Sequence, residues 1–159
     1  MKESFGALSI TTIFVTLIIL FSGYLCISVN QTKAYNVKNE LVNIIQRHNG
    51  VDGSTIDEIA GHLNEVSYRS LGSCDEEEDG IGYTLSGGRS QTKANYCIKC
   101  VNINVNLNDP YKQFPNASYY KVKVFFSLDL PIINNVFNFS LSGTTKTLYY
   151  PVNGGSCSV

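Results

Sequence analysis

The sequence predicts an α+β protein: a long N-terminal membrane helix continuing into an amphipathic helix, a second short helix, and an antiparallel three- to four-stranded sheet. Three observations carry that expectation. No charged residue stands between Glu3 and Lys33. Apolar residues then recur at helical spacing through Ile45 and again through Val66, and past Tyr96 the pattern changes to a period of two.

The uncharged window contains Ala7 to Val29, a run of about 23 residues against the roughly 20 needed to cross a bilayer core. A cleaved signal peptide would have a shorter apolar core and a small-x-small cleavage site. Phe21-Ser22-Gly23 and Cys26-Ile27-Ser28 match such a site poorly, and Gly23-Tyr24-Leu25-Cys26 is a poor lipoprotein box. The segment is therefore expected to be retained as an anchor. Ser9, Thr11, Thr12, Thr16, Ser22 and Ser28 punctuate it. Their hydroxyls can join neighbouring helices or satisfy their own helix's carbonyls.

Beyond the span, Ala34, Val37, Leu41, Ile44 and Ile45 form one apolar face, and Asn49-Gly50 supplies a stop. A continuous helix from Ala7 to His48 would be roughly 60 Å long. The face Ala34, Val37, Leu41 and Ile44 is a candidate assembly surface. It could equally cover the sheet.

Ser54-Thr55 followed by Asp57-Glu58 is a capping-box pattern, opening a helix marked by Ile56, Ile59, Ala60, Leu63 and Val66. Residues 72 to 95 are expected to be irregular, with an acidic run from Asp75 to Asp79 and glycines at 80, 82, 87 and 88. Counted from Asp75, the twelfth position of a calcium loop would be Ser86, which is no carboxylate. Gly87-Gly88-Arg89-Ser90 lacks the ending of a phosphate loop. Neither pattern calls for a metal or cofactor.

Val101, Ile103, Val105 and Leu107 alternate with asparagines, and Asp109-Pro110 ends that strand. Val122, Val124, Phe126, Leu128 and Leu130 alternate with Lys121, Lys123, Phe125, Ser127 and Asp129. After a turn from Pro131 to Asn135, a third strand runs from Phe137 to Tyr150. Short connections imply an antiparallel meander with one apolar and one wet face, which the helix stripes can cover.

Of five cysteines, Cys26 falls within the span. Cys74, Cys97, Cys100 and Cys157 are candidate disulfide cysteines, with three possible pairings. Cys97 and Cys100 point to opposite strand faces, which disfavours a bridge between them. One bridge from Cys74 to that strand and one from Cys157 is the preferred arrangement. Cys97 and Cys100 have the spacing of half a zinc ribbon, but no second pair has it.

Orientation carries two opposed signals. Lys33, Lys38 and Arg47 follow the span, against Lys2 before it, which favours a cytoplasmic head. Four cysteines in a small domain favour an oxidising compartment. Long domains cross regardless of flanking charge, so the cysteines carry more weight and the head is expected to be extracytoplasmic.

A net charge of -1, two histidines and no tryptophan leave no nucleic-acid footprint and little material for histidine catalysis. His48 and His62 fall at a helix end and on a helix surface. No nucleophile elbow or metal-ligand pattern occurs. The chain is thus expected to be no enzyme, with no cofactor, no metal and no catalytic residue. Asn116-Ala117-Ser118 and Asn138-Phe139-Ser140 match glycosylation acceptors, relevant only in a eukaryotic secretory pathway.

This layout, with Tyr120-Lys121-Val122-Lys123-Val124-Phe125-Phe126, Leu130-Pro131 and Phe139-Ser140-Leu141-Ser142-Gly143-Thr144-Thr145-Lys146, resembles the type IV pilin-like group. It is most similar to TadE-like minor pilins (pseudopilins). The resemblance implies a short leader, residues 1–6, cut after Gly6 so that Ala7 becomes the first mature residue. Such pilins carry a glutamate five residues into the mature chain; here that place is Thr11.

The implied organisation is leader 1–6, transmembrane helix 7–29, amphipathic extension 30–50 and a disulfide-stapled head 51–159. The implied function is a membrane-anchored structural subunit of a secretion, pilus or adhesion assembly. Its partners would be membrane lipid and other pilin-like or secretion-system subunits, met through the N-terminal helix. The alternative is a single-pass surface protein whose head binds a ligand or partner through the strand faces Asn102–Asn108 and Lys121–Asp129.

Overall fold

A computed structural model of the chain describes residues 2–104, 116–130 and 133–150. Helix α1 (Lys2–Arg47) is one unbroken helix of 46 residues, about 69 Å long. It closes as the Asn49-Gly50 signal requires. Asn49 adopts a left-handed backbone with φ 54°. The N–H groups of Gly50 and Asn49 donate to the carbonyls of Ile45 (3.1 Å) and Gln46 (3.3 Å), which satisfies orphan carbonyls of the last turn.

Helix α2 (Gly53–Glu65) follows at once. Its cap is Asp52, two residues before the expected Ser54-Thr55 box: the carboxylate accepts from the Thr55 N–H at 2.8 Å and from the hydroxyls of Ser54 and Thr55. Those bonds, the backbone one foremost, lower the Asp52 carboxyl to about 2. The helix ends in a second left-handed residue, Ser67 at φ 50°, with Tyr68 N–H donating to the Leu63 carbonyl at 2.9 Å.

The sheet is antiparallel throughout. Strands β1 (Ile81–Tyr83), β2 (Tyr96–Asn104) and β3 (Asn116–Leu130) lie side by side, with β4 (Ile133–Thr144) and β5 (Leu148–Tyr150) along the other edge of β3. Among the described residues there are five strands, where three or four were expected. The third expected strand is split. Between β4 and β5, Thr145 is buried and exchanges two bonds with Tyr120, its N–H donating to the carbonyl and its Oγ1 accepting from the N–H, each 2.9 Å. Strand β1 lies in the stretch expected to be irregular. It fits there because Gly82 has no side chain: a Cβ would stand 2.1 Å from the Ser90 carbonyl.

The main core forms between the helices and one sheet face. Val37, Leu41, Ile44 and Ile45 of α1 join Ile59 and Leu63 of α2 and Tyr96, Ile98, Tyr120, Val122 and Val124 of the sheet. Two expectations are corrected here. The candidate assembly face Ala34, Val37, Leu41 and Ile44 is at most 2% exposed: it covers the chain's own sheet and is closed to a partner. On β2, the register with β3 runs unbroken from Tyr96↔Val124 to Asn104↔Asn116, so alternation fixes Val101 and Ile103 on the face of Cys97, opposite the main core. Ile103 is exposed there. Val105 and Leu107 lie outside the described residues.

The other sheet face is not simply wet. Phe125, expected among the polar positions, is buried with Cys74, Ala94 and Cys97 beneath the loop between α2 and β2.

Candidate functional site

The first half of α1 is a surface of unusual character. The apolar window of the Ser9–Arg47 segment is 0% buried and long enough to cross a membrane. Ile10, Ile13, Phe14, Leu17, Ile18, Leu20 and Phe21 are all exposed. The hydroxyls of Thr16, Ser22 and Thr32 donate to the carbonyls of Thr12 (2.8 Å), Ile18 (2.8 Å) and Ser28 (2.9 Å), one turn back. These donors are satisfied within the helix, as an apolar solvent requires. The candidate processing residues Gly6 and Ala7 lie on α1.

Among the candidate disulfide cysteines, Cys74 and Cys97 are bonded, with Cα atoms 5.9 Å apart. Cys100 is also disulfide-bonded, and Cys157 lies outside the described residues. Cys26 is a free, half-buried thiol on α1. No group of three or more metal-ligating side chains comes together among the described residues.

The acidic run is folded back onto the sheet. Asp75 caps its own turn, its carboxylate accepting from the N–H groups of Glu77 (2.8 Å) and Glu78 (3.2 Å). Lys99 and Lys121, from β2 and β3, donate to the carbonyls of Glu77 and Glu78. Lys123 pairs with Asp79 at 2.6 Å. Burial raises the Asp79 pKa, but the Lys123 bond and the Asp75 N–H outweigh it and hold the carboxyl below its ordinary range. Two lysines of the expected Lys121–Asp129 recognition face are thus engaged by this loop. Most of the Asn102–Asn108 face lies outside the described residues.

A Ser–His–acid arrangement that no sequence motif announced sits where α1 meets α2. His48 Nε2 lies 2.6 Å from Glu58 Oε2 and Nδ1 lies 3.4 Å from Ser54 Oγ. Arg47 takes the other Glu58 oxygen. Ser54, however, gives its proton to Asp52 Oδ1 at 2.8 Å, so the hydroxyl is not poised to donate to the imidazole. These contacts clamp the two helices. The His48 bond, against a smaller cost of burial, draws the Glu58 carboxyl downward, with Arg47 assisting.

Two open clefts flank α1 where it leaves the head. One, of about 600 Å³, lies towards α2 and is lined by Thr32, Lys33, Asn36, Glu40, His62 and Val66. The other, of about 380 Å³, is lined by Asn30, Lys33, Arg69, Ser70 and Phe126.

No family model, curated protein or solved structure matches the chain.

Proposed function

We propose that this chain is a membrane-anchored, pilin-like structural subunit, with a single span and a head on the extracytoplasmic side. One observation carries the reading: a single unbroken helix whose first half is apolar and exposed and whose second half is the spine of an α+β head. That division suits a subunit held by its N-terminal helix in lipid and, on assembly, against the spans of other subunits. The burial of Ala34, Val37, Leu41 and Ile44 restricts the lateral contact to the segment before Ala34. The Cys74–Cys97 bond supports an oxidising compartment.

The test is the intact mass of native protein extracted from membranes, with free thiols alkylated before and after reduction. Four thiols that label only after reduction, together with loss of residues 1–6, are the expected result. Five thiols labelling without reduction on an uncut chain would place the head in the cytoplasm and end the pilin-like reading. Cysteine crosslinking through residues 9–29 adds the assembly arm. A ladder of self-contacts is expected, whereas a strict monomer would favour a single-pass surface protein whose head binds a partner.

A further inference from the structure

The cleft beside Lys33 and Arg69 has the composition and the position of a phosphate site at a membrane surface. Its lining holds two cationic side chains, Lys33 and Arg69, with Asn30, Ser67 and Ser70 as further polar groups and no carboxylate. Neither cation has an ion-pair or hydrogen-bond partner among the described residues. Several other cations of the head are engaged: Arg47 with Glu58, Lys38 over the Tyr35 ring, and Lys99, Lys121 and Lys123 with the acidic loop.

The cradle is fixed by its neighbours. The Tyr68 hydroxyl donates to the Phe125 carbonyl, and the Ser70 carbonyl accepts from Asn95 Nδ2 at 2.9 Å. The segment carrying Arg69 is therefore tied down on both sides, which lowers the ordering cost of binding.

Depth supplies the second argument. Lys33 stands four residues beyond Val29, about 6 Å along the helix axis. The headgroup layer outside the hydrocarbon core is about 5–7 Å thick on each side. A span ending at Val29 thus places Lys33 at the level of lipid phosphates. Arginine recognises a phosphate through paired N–H donors, and lysine as a point charge.

We infer that the Lys33–Arg69 cleft binds the phosphate of an anionic phospholipid headgroup, seating the head on the bilayer where α1 emerges. The inference rests on the membrane reading of residues 7–29. The same chemistry would accept free phosphate, and the experiment separates the two sources.

The full-length protein, extracted in mild detergent, is titrated with phosphatidylglycerol and separately with phosphatidylcholine, and 1:1 adducts are counted by native mass spectrometry. Phosphatidylglycerol should be retained in preference. The double variant Lys33→Gln, Arg69→Gln should lose roughly 10- to 30-fold in apparent affinity, the scale of two basic residues at an anionic surface. The control Lys93→Gln, Lys146→Gln removes the same charge outside the cleft and should bind as the parent does. Protection of the Cys74 and Cys97 thiols checks that each variant is folded. Equal retention of the two lipids, or an unchanged adduct in the Lys33, Arg69 variant, would overturn the inference. Displacement of the lipid by millimolar inorganic phosphate would also overturn it, in favour of a free-anion site. Release of the parent protein by carbonate washing would instead refute the span itself, a separate failure.

Discussion

The two halves of α1 share a backbone and differ in burial. From Ile10 to Val29 the large apolar side chains are open, and hydroxyls along the turn bond to the helix's own carbonyls. From Ala34 to Ile45, the residues Ala34, Val37, Leu41, Ile44 and Ile45 fall on one face and are closed within the fold, while Tyr35 stays exposed. No proline or bend marks the change: Gly23 lies within the helix, with open space where its Cβ would be. The difference teaches that helical continuity is a property of local backbone bonding, while burial is decided by what each stretch meets. An apolar surface as long as the first half needs lipid or other helices to cover it. The second half is already covered.

The sharpest way to break this comparison is to make one change in both halves. Leu41 is 0% exposed, and Leu41→Ala should cost the head about 3–5 kcal/mol in chemical denaturation, the range for a core leucine whose site cannot collapse. Leu17 is 57% exposed, and Leu17→Ala should leave that transition where it was. Conversely, Ile18→Asp near the middle of the span should oppose insertion by about 3 kcal/mol, read as loss from carbonate-washed membranes. The head's own stability should be unaffected. If Leu17→Ala destabilised the head as much as Leu41→Ala, the two halves would be one core and the comparison would be wrong.

Next in size is the staple. The Cys74–Cys97 bond closes a sequence separation of 23, worth about 3 kcal/mol in the chain-entropy account. Replacing both cysteines with serine should lower the head's denaturation midpoint accordingly. Membrane retention should stay unchanged, because the span draws nothing from the head's covalent frame.

What could be read in the sequence was what is local. The apolar stripe from Ala34 to Ile45 repeats within two turns of its own residues, and the β3 alternation of Val122, Val124 and Phe126 needs no partner to be seen. The Asn49-Gly50 stop is equally self-contained. What stayed hidden depends on distant chain. Strand β1 is three residues long and exists because β2 pairs with it at Ile81↔Ile98. The inward face of β2 was set by Tyr96 and Ile98, so the cleaner alternation at Val101 and Ile103 pointed to the wrong side. The clasp on the acidic loop joins residues 22 to 44 positions apart, and a run of acids alone reads as a solvated loop. Ser54, His48 and Glu58 meet across a helix junction, a spacing that matches no motif. The Lys33–Arg69 cleft likewise needed the fold to bring α1 beside the turn after α2.

That clasp gives the third test, since it belongs wholly to the head. Asp79 is buried and paired, and its carboxyl is held below the ordinary range. A depressed folded pKa contributes stability above the unfolded value and loses it as pH falls through the folded one. The same sign holds for Glu58 and for Asp52, whose window runs from 3.8 down to about 2. The head should therefore weaken below about pH 4, while the carboxylate-free stretch from Ser9 to Asn30 should show no such change in membrane retention. Asp79→Asn should cost about 2 kcal/mol at neutral pH by leaving Lys123 without its charge partner. It should also flatten part of the acid slope, which a urea titration at several pH values would read.

The smallest effect sharpens the comparison from the stabilising side. Ser67 holds φ at 50°, a left-handed conformation that side chains with a Cβ adopt at a cost and glycine does not. It closes α2 and turns the chain towards Tyr68, whose phenol burial raises to about 12. Ser67→Gly relieves the strain but gives the unfolded chain more freedom, and the two partly cancel. A net gain of about 0.5 kcal/mol is expected, visible as a small rise in the head's urea midpoint. Leu17→Ala combined with it should show the same gain, because sites that share no partners add. A gain that disappeared in the double variant would mean that the span and the head are coupled through α1 after all, and the boundary near Ala34 would have to be redrawn.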